Sequence, residues 1–152
     1  MLEQIFVVAI SRLKDQMDSC DAVDQKIGTC IGFAGVIVAI ATGIKTETLI
    51  TAQLVFHTLG YIIIAISLVT LFVGYRAINL RTGLEIKEIV DVFRKQHDKK
   101  ILLYTQIEYL DVALKENTEM LREKNQYLAK GALLLIIGVI GYIISYLIGV
   151  IW

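Results

Sequence analysis

The chain contains 152 residues, of which 56% are hydrophobic and 20% are charged, and its fifteen basic and fifteen acidic residues give a formal net charge of zero. This apolar share exceeds that of an ordinary soluble domain, which argues against most classes of soluble enzyme. The length allows one integrated unit and excludes a membrane domain joined to a separate catalytic or sensor domain.

Three runs without a charged residue dominate the sequence, at residues 27–44, 48–75 and 131–152. Each run is about long enough to cross a hydrocarbon core as a helix, and the chain has no proline to break one. The sequence therefore predicts an all-α membrane protein with three transmembrane helices. Its segments are a cytoplasmic amphipathic helix at 1–26, spans at 27–44, 52–75 and 131–152, an outer turn at 45–51 and a cytoplasmic helical segment at 76–130.

The basic residues predict the orientation of the spans. Three lie in the N-terminal arm (residues 1–26), one lies in the short loop and eleven lie in the long loop. Because Lys and Arg near the ends of spans are retained in the cytoplasm, we expect a multi-pass protein of the cytoplasmic (inner) membrane. Its N-terminus is then inside and its C-terminus outside.

The N-terminal arm has the pattern of an amphipathic helix. Apolar residues recur at steps of three and four, at Leu2, Phe6, Ala9, Leu13, Met17 and Cys20. The polar face is mainly aspartate, which favours packing against protein helices over lying on anionic lipid. Repeated in an oligomer, these aspartates could form a cation-attracting cytoplasmic mouth, although a solvated helix face explains them as well; they are Asp15, Asp18, Asp21 and Asp24.

Polar and small residues form a stripe along one side of the second span, at Gln53, His57, Gly60, Ser67 and Gly74. A polar side chain facing lipid is costly, so this stripe should face protein or water. In a ring of copies it could line an aqueous pore in which His57 titrates near neutral pH. The alternative places Gln53 and His57 near the outer interface, hydrogen-bonded to a neighbouring helix.

The long loop opens with Thr82-Gly83-Leu84-Glu85, which matches the capping box of a helix start. A basic cluster follows, formed by Arg94, Lys95, His97, Lys99 and Lys100. The cluster lacks interleaved aromatic residues and a glycine-rich cradle. We therefore expect a solvated helix tip at this point and no binding of nucleic acid.

The clearest soluble-type signal is a coiled-coil seam. A strict alternation of four- and three-residue steps joins Leu103, Ile107, Leu110, Leu114, Asn117, Leu121, Lys124 and Leu128. Its two polar members, Asn117 and Lys124, would cost stability but could fix register and oligomeric state. The seam joins either copies of the chain or this segment and the N-terminal arm, and no helix breaker separates it from the third span.

Small residues form faces on two of the spans. Gly28, Gly32 and Gly35 share one side of the first span, and the third span carries Gly141, Ser145 and Gly149. Such residues let helix backbones approach closely in a membrane. They predict close helix contacts without distinguishing contacts within a subunit from contacts between subunits.

The sequence carries no pattern that points to catalysis. It contains no HExxH, GxxxxGK[ST] or GxSxG motif and no paired CxxC, and its two cysteines lack a nearby histidine. We therefore expect no enzymatic activity, no bound metal and no cofactor.

Asp24-Gln25-Lys26 stands immediately before a glycine-rich span, a tight outer turn follows, and the helical cytoplasmic stretch contains Asn117 and Lys124. This arrangement resembles the small transmembrane effectors of prokaryotic antiviral defence of the SLATT and Pycsar types. The resemblance implies oligomers that perforate or depolarise the inner membrane when a nucleotide second messenger or an associated defence protein signals infection. This chain departs from the usual plan by its third span and its lack of a recognisable nucleotide-binding domain, which favours control by a protein partner.

Two functions are compatible with these features. The first is a homo-oligomeric effector, in contact with membrane lipids, that forms or gates a pore. The second is a non-conducting scaffold whose coiled coil recruits a soluble defence or signalling partner, through charges that include Glu108, Glu116 and Arg122.

Overall fold

The computed structural model describes residues 2–43, 51–76 and 99–151, and the secondary structure in these ranges is helical. Helix α1 is Leu2–Thr42, α2 is Thr51–Tyr75 and α3 is Lys99–Ile151. All three are long and apolar enough to cross a membrane. The prediction of an all-helical chain with three candidate spans is thus confirmed for the described residues. The capping box at 82–85, most of the outer turn and most of the basic cluster lie outside them.

Helices α1 and α3 are much longer than a membrane span requires, at 41 and 53 residues. Each continues through the boundary between a charged segment and an apolar run, since no proline interrupts it. Two exposed-face threonines donate their hydroxyls to the preceding turn of the same helix. Thr29 donates to the carbonyl oxygen of Gln25 at 2.8 Å, and Thr70 donates to that of Ile66 at 2.8 Å.

The chain divides into two compact units. The helix-pair unit contains Met1–Ala22 and Ala77–Glu123, and the three-helix unit contains Val23–Arg76 and Lys124–Trp152. The candidate spans contribute to the three-helix unit, whereas the N-terminal arm and the first half of α3 contribute to the helix-pair unit.

Buried residues recur every seven positions in the three-helix unit. On α1 these are Ile27, Ala34 and Ala41, and on α3 they are Lys124, Gly131, Gly138 and Ser145. The buried positions of α2 alternate steps of three and four, at His57, Gly60, Ile64, Ser67, Leu71 and Gly74. This spacing is that of left-handed helix packing, the commonest arrangement of helices in membranes.

The outer faces of the three-helix unit are apolar. Phe33 and Val69 are each 64% exposed, and Leu133 is 59% exposed. Large apolar side chains on every outer face are expected where the surrounding solvent is lipid. The exposure pattern therefore agrees with a unit embedded in a membrane.

Two apolar clusters hold the three helices together. One centres on Val23, Ile27 and Leu71, with Leu128 of α3 packed against them, and the other centres on Ala34, Ile64 and Leu135. Residues later in α1 thus contact residues later in α3, so these two helices run parallel. Helix α2 runs antiparallel to α3, because Ser67 contacts Gly131 while Gln53 contacts Ser145.

In the helix-pair unit, α1 and α3 also run parallel. Glu3 pairs with Lys99 at 2.9 Å, and Gln16 donates to the carbonyl oxygen of Leu114 at 2.9 Å. The hydrogen bond and the positive charge of Lys99 hold the pKa of Glu3 below its ordinary value. Of the arm's predicted stripe, Leu13 and Cys20 are buried, whereas Met17 is 42% exposed.

Candidate functional site

A line of polar side chains lies among the helices of the three-helix unit. We call it the polar seam, and it consists of Asp24, Lys124, Ser67, His57, Gln53 and Ser145. Four of these residues are buried, and Asp24 and Gln53 are half-buried. Polar groups in an apolar span are costly unless they are hydrogen-bonded or paired with a charge, so each member of the polar seam is expected to contact a partner.

An ion pair between Asp24 and Lys124 forms one end of the polar seam. The Nζ atom of Lys124 lies 2.6 Å from Oδ1 and 2.7 Å from Oδ2 of Asp24. The Lys124 side chain is 2% exposed and the Asp24 side chain 33%. A buried ammonium is tolerated when a carboxylate faces it at this distance. The pair therefore joins α1 to α3 by a charged contact at the end of the apolar runs.

Ser67 forms the next contact of the polar seam. Its hydroxyl donates to the carbonyl oxygen of Gly131 at 2.7 Å, and Ser67 is fully buried. A Cβ atom added at Gly131 would lie 2.6 Å from the Cγ atom of Leu71. Glycine at this position is what lets α2 approach the backbone of α3 closely enough for the hydrogen bond.

Glycines from both helices form a close contact between α2 and α3. A Cβ atom added at Gly60 would lie 3.2 Å from the carbonyl oxygen of Gly138, and one at Gly138 would lie 2.6 Å from Cγ1 of Ile64. A Cβ atom at Gly141 would lie 3.7 Å from the Cα atom of Gly60. Small residues permit such close contacts between helices in membranes.

His57 lies one turn before Gly60 and packs among aromatic rings. The centroid of its imidazole is 4.9 Å from the ring centroid of Tyr142 and 5.2 Å from that of Tyr61. The two tyrosine rings are 6.3 Å apart and nearly perpendicular, at 82°. His57 is 5% exposed, so this histidine is a packed member of the interface between α2 and α3.

The other end of the polar seam contains Gln53 and Ser145. The Ser145 hydroxyl donates to the carbonyl oxygen of Gln53 at 2.9 Å. The Gln53 side chain packs on Gly149, where an added Cβ atom would overlap its amide. The sequence stripe that includes Gly141, Ser145 and Gly149 is thus a packing face toward α2.

The structure brings together the residues predicted as pore-lining candidates. His57, Gly60, Ser67 and Gly74 are buried and Gln53 is half-buried, and the contacts of this stripe include α3 of the same chain. These contacts are with a neighbouring helix; the alternative hypothesis, which places Gln53 and His57 near the outer interface and hydrogen-bonded to such a helix, also stays a prediction. The lining of a pore by these residues stays a prediction.

The predicted glycine faces differ from one another. Nothing lies within 4 Å of a Cβ atom added at Gly28, Gly32 or Gly35. The glycines of α3 named above are packed instead. In the described residues, the glycine face of α1 is therefore open and that of α3 is filled.

The acidic residues of the arm are also divided. Asp15, Asp18 and Asp21 are exposed in the helix-pair unit, whereas Asp24 is engaged by Lys124 in the three-helix unit. A shared acidic mouth in an oligomer stays a prediction for the three exposed aspartates.

The predicted oligomer seam is partly buried within the single chain. Leu110, Asn117 and Lys124 are buried, and Leu114, Leu121 and Leu128 are half-buried. In the helix-pair unit, the bond from Gln16 to the Leu114 carbonyl oxygen shows that the N-terminal arm contacts this segment. An additional seam between copies stays a prediction.

Sequence reasoning did not single out Tyr61 and Tyr142 or the pairing of Asp24 with Lys124. A signal for Tyr142 exists, because it lies four residues after Gly138 and three before Ser145, on the same side of the helix. Asp24 likewise lies four residues after Cys20 and three before Ile27, on the continuation of the apolar stripe. Among residues 2–43, 51–76 and 99–151, no group of three or more His, Cys, Asp or Glu side chains could hold a metal ion.

No protein-family model, no curated protein and no solved structure matches this chain.

Proposed function

We propose that this protein is an effector of the cytoplasmic membrane that assembles as a homo-oligomer and forms or gates a pore, disrupting the membrane potential in antiviral defence. The observation that carries the proposal is the polar seam within helices that are otherwise uncharged across their apolar runs. A bundle held only by packing would not need a buried imidazole within an apolar span and an amide in the first turn of the same helix. Polar groups at such positions are commonly part of an ion or proton pathway.

In the proposed mechanism the described conformation is the closed one. The stripe of Gln53, His57 and Ser67 contacts α3, and in the open oligomer it would instead face a shared aqueous path. The hydrogen bonds to be exchanged are individually weak, since hydrogen bonds between helices in membranes contribute about 0.6 kcal/mol on average. In the open oligomer, contacts between copies would also have to replace the glycine contacts between α2 and α3.

Two features support assembly of copies around such a path. The open glycine face of α1 leaves room for close approach of another helix. The exposed aspartates Asp15, Asp18 and Asp21 would concentrate cations near the cytoplasmic end if copies form a ring. The resemblance to defence effectors supplies the biological setting, with a soluble defence or signalling protein as the trigger.

The test combines the mass of the complex in lipid nanodiscs with a membrane-potential dye in expressing cells. We expect a closed ring of four or more subunits and depolarisation on overexpression. His57→Leu and Gln53→Leu should remove the depolarisation while leaving helix content unchanged. Val69→Leu, at a position 64% exposed on the opposite side of α2, is the matched control and should depolarise like the wild type.

A monomeric or dimeric protein that leaves the membrane potential intact contradicts this proposal. Equal depolarisation by the wild type, His57→Leu and Gln53→Leu would also show that this face of α2 does not line the conducting path.

A specific observation favours a second candidate, the membrane scaffold. The helix-pair unit has an open cleft of ≈ 380 Å³ between α1 and α3, with Arg12, Asp15, Asp111 and Lys115 among its lining residues. Tyr104 is 64% exposed on α3. An exposed aromatic residue and mixed charges are typical of a surface that binds another protein.

The scaffold is tested by capture of soluble protein on nanodiscs that carry the wild type or variants. Reversal of the charges of Glu108, Glu116 and Arg122 should abolish capture of a specific partner. His57→Leu should capture it normally. Capture that depends on His57 and ignores the three reversals would reject this function.

A further inference from the structure

The charged residues of the three-helix unit are mainly basic. Its described residues include five charged side chains, which are Asp24, Lys26, Arg76, Lys124 and Lys130. The carboxylate of Asp24 is engaged by Lys124, so these two charges offset each other. The other three are basic, and we call Lys26, Arg76 and Lys130 the basic collar.

The basic collar lies at one level of the three-helix unit, where the three helices meet. A Cβ atom added at Gly74 would lie 2.7 Å from the Cβ atom of Tyr127 and 3.5 Å from Cδ1 of Ile27. Each residue of the basic collar is one to three positions from the residue of its own segment in this contact. At 1.5 Å per residue, this separation is at most about 5 Å along a helix. The basic collar therefore places three cations at the same end of the unit.

The side chains of the basic collar are exposed. Over residues 2–43, 51–76 and 99–151, no ion pair or hydrogen bond engages these three side chains. Two tyrosines at the same level, Tyr75 and Tyr127, are exposed as well. Tyrosine at the end of an apolar span is typical of the interface between membrane and water. This end of the unit thus presents hydrogen-bond donors that suit an anion.

The cations of α1 and α3 share a helix side with apolar residues on the outer faces of the unit. Phe33 follows Lys26 by seven residues, which is about two turns, and is 64% exposed. Leu133 follows Lys130 by three residues and is 59% exposed. A molecule that lies along either side would contact apolar side chains over most of its length and a cation at one end.

Arg76 has the same relation to α2. It follows Phe72, which is 59% exposed, by four residues. Its amide donates to the carbonyl oxygen of Val73 at 3.4 Å, so the helical turn continues to Arg76. A guanidinium group matches the oxygens of a phosphate. The molecule that combines a long apolar part with a phosphate at one end is a phospholipid.

We propose that the basic collar binds the headgroups of anionic phospholipids. A zwitterionic headgroup carries a cation beside its phosphate, and the single carboxylate among the described residues of the unit is already paired with Lys124. An anionic headgroup has no such cation, so its net negative charge is attracted by all three collar residues. This inference goes beyond the proposed pore, because the collar binds lipid whether or not the protein conducts ions.

The proposal is tested by electron paramagnetic resonance of spin-labelled lipids around the protein in phosphatidylcholine vesicles. The readout is the ratio of the association constants of labelled phosphatidylglycerol and labelled phosphatidylcholine. At low salt we expect a ratio of roughly three or more for the wild type, because each basic residue near a membrane surface adds attraction for anionic lipid. Combining Lys26→Gln, Arg76→Gln and Lys130→Gln should lower the ratio to about one. Salt at about 1 M should do the same to the wild type, since it screens exposed charges.

A second triple variant is the matched control. Arg12→Gln, Lys14→Gln and Lys115→Gln also remove three exposed cations, in this case from the helix-pair unit. The net charge therefore changes by the same amount, while the basic collar is kept. This variant should keep the wild-type ratio. Because all six positions are exposed, both variants are expected to fold like the wild type.

A wild-type ratio near one overturns the proposal. So does an equal loss in the two triple variants, since the preference would then follow net charge and not the basic collar. Inorganic phosphate that replaces chloride at equal ionic strength should leave the ratio unchanged; if it removes the preference, the collar binds free anions and the lipid proposal fails. A lipid preference in a protein that does not depolarise cells would support the collar while rejecting the pore, and depolarisation without a lipid preference would do the reverse.

Discussion

Replacing Asp24 by asparagine should destabilise the three-helix unit more than any other single carboxylate change in the arm. The substitution preserves the shape of the side chain and removes the charge that faces Lys124 at 2.6 and 2.7 Å. The Lys124 ammonium, 2% exposed, then loses the carboxylate of Asp24 that faces it. Breaking a buried ion pair from one side costs roughly 3–5 kcal/mol.

The lower end of this range applies here. The Asp24 side chain is 33% exposed, so water already screens part of the attraction and can reach the variant site. We therefore expect a loss of about 3 kcal/mol in the free energy of unfolding. Replacing both partners by apolar residues, as Asp24→Leu with Lys124→Met, should recover most of it, because no charge is then left buried.

The assay is reversible unfolding in mixed detergent micelles followed by circular dichroism. Asp21→Asn is the matched control, since Asp21 is an exposed carboxylate of the same helix and its loss should change stability by less than about 0.5 kcal/mol. An Asp24→Asn variant as stable as Asp21→Asn would refute the reasoning. A double variant no better than Asp24→Asn would show that the loss comes from packing and not from the broken ion pair.

Two further predictions concern backbone approach and pH. Gly138→Ala should lower the free energy of unfolding by about 1–3 kcal/mol in the same assay, because its Cβ atom would lie 2.6 Å from Cγ1 and 3.2 Å from the backbone nitrogen of Ile64. Gly35→Ala is the control: nothing lies within 4 Å of its Cβ atom, so stability should stay unchanged or rise. Equal losses at both glycines would contradict the packing described. The lowered pKa of Glu3 means that its pair with Lys99 stabilises the helix-pair unit above the ordinary carboxyl pKa and loses that effect as the pH falls through the lowered value. After correction for intrinsic exchange rates, amide hydrogen exchange near the start of α1 should therefore become faster below about pH 4 in the wild type. The Glu3→Gln variant lacks the ion pair at any pH, so it should exchange at this faster rate both above and below about pH 4.

Sequence reasoning was most successful where a property depends on chain composition alone. The apolar runs at 27–44, 48–75 and 131–152 predict membrane-crossing helices because partition into lipid depends on length and hydrophobicity, whatever the neighbours are. Helices Leu2–Thr42, Thr51–Tyr75 and Lys99–Ile151 contain these runs over the described residues. Their continuity follows equally from sequence, since no proline is present to stop them.

Sequence also identified the faces that pack, without their partners. The stripe of α2 that contains His57 and Ser67 was predicted to avoid lipid, and both residues are buried. The same periodicity fits an interface within one chain or between copies, since a helix face has the same pattern in either case. The hydrogen bond from Ser67 to Gly131 shows one intramolecular contact of this face.

Tertiary structure decided the features that depend on which faces meet. Gly32 and Gly141 lie in similar small-residue stripes, yet the first is open and the second packs on Gly60, because only one of the two stripes is turned toward another helix. Asp24 looks in sequence like the last member of an acidic series, and its distance from Lys124 in three dimensions makes it half of an ion pair instead. Length and hydrophobicity thus set the number of spans by local physics, whereas the pairing of charges, rings and glycines required the helices to be placed side by side.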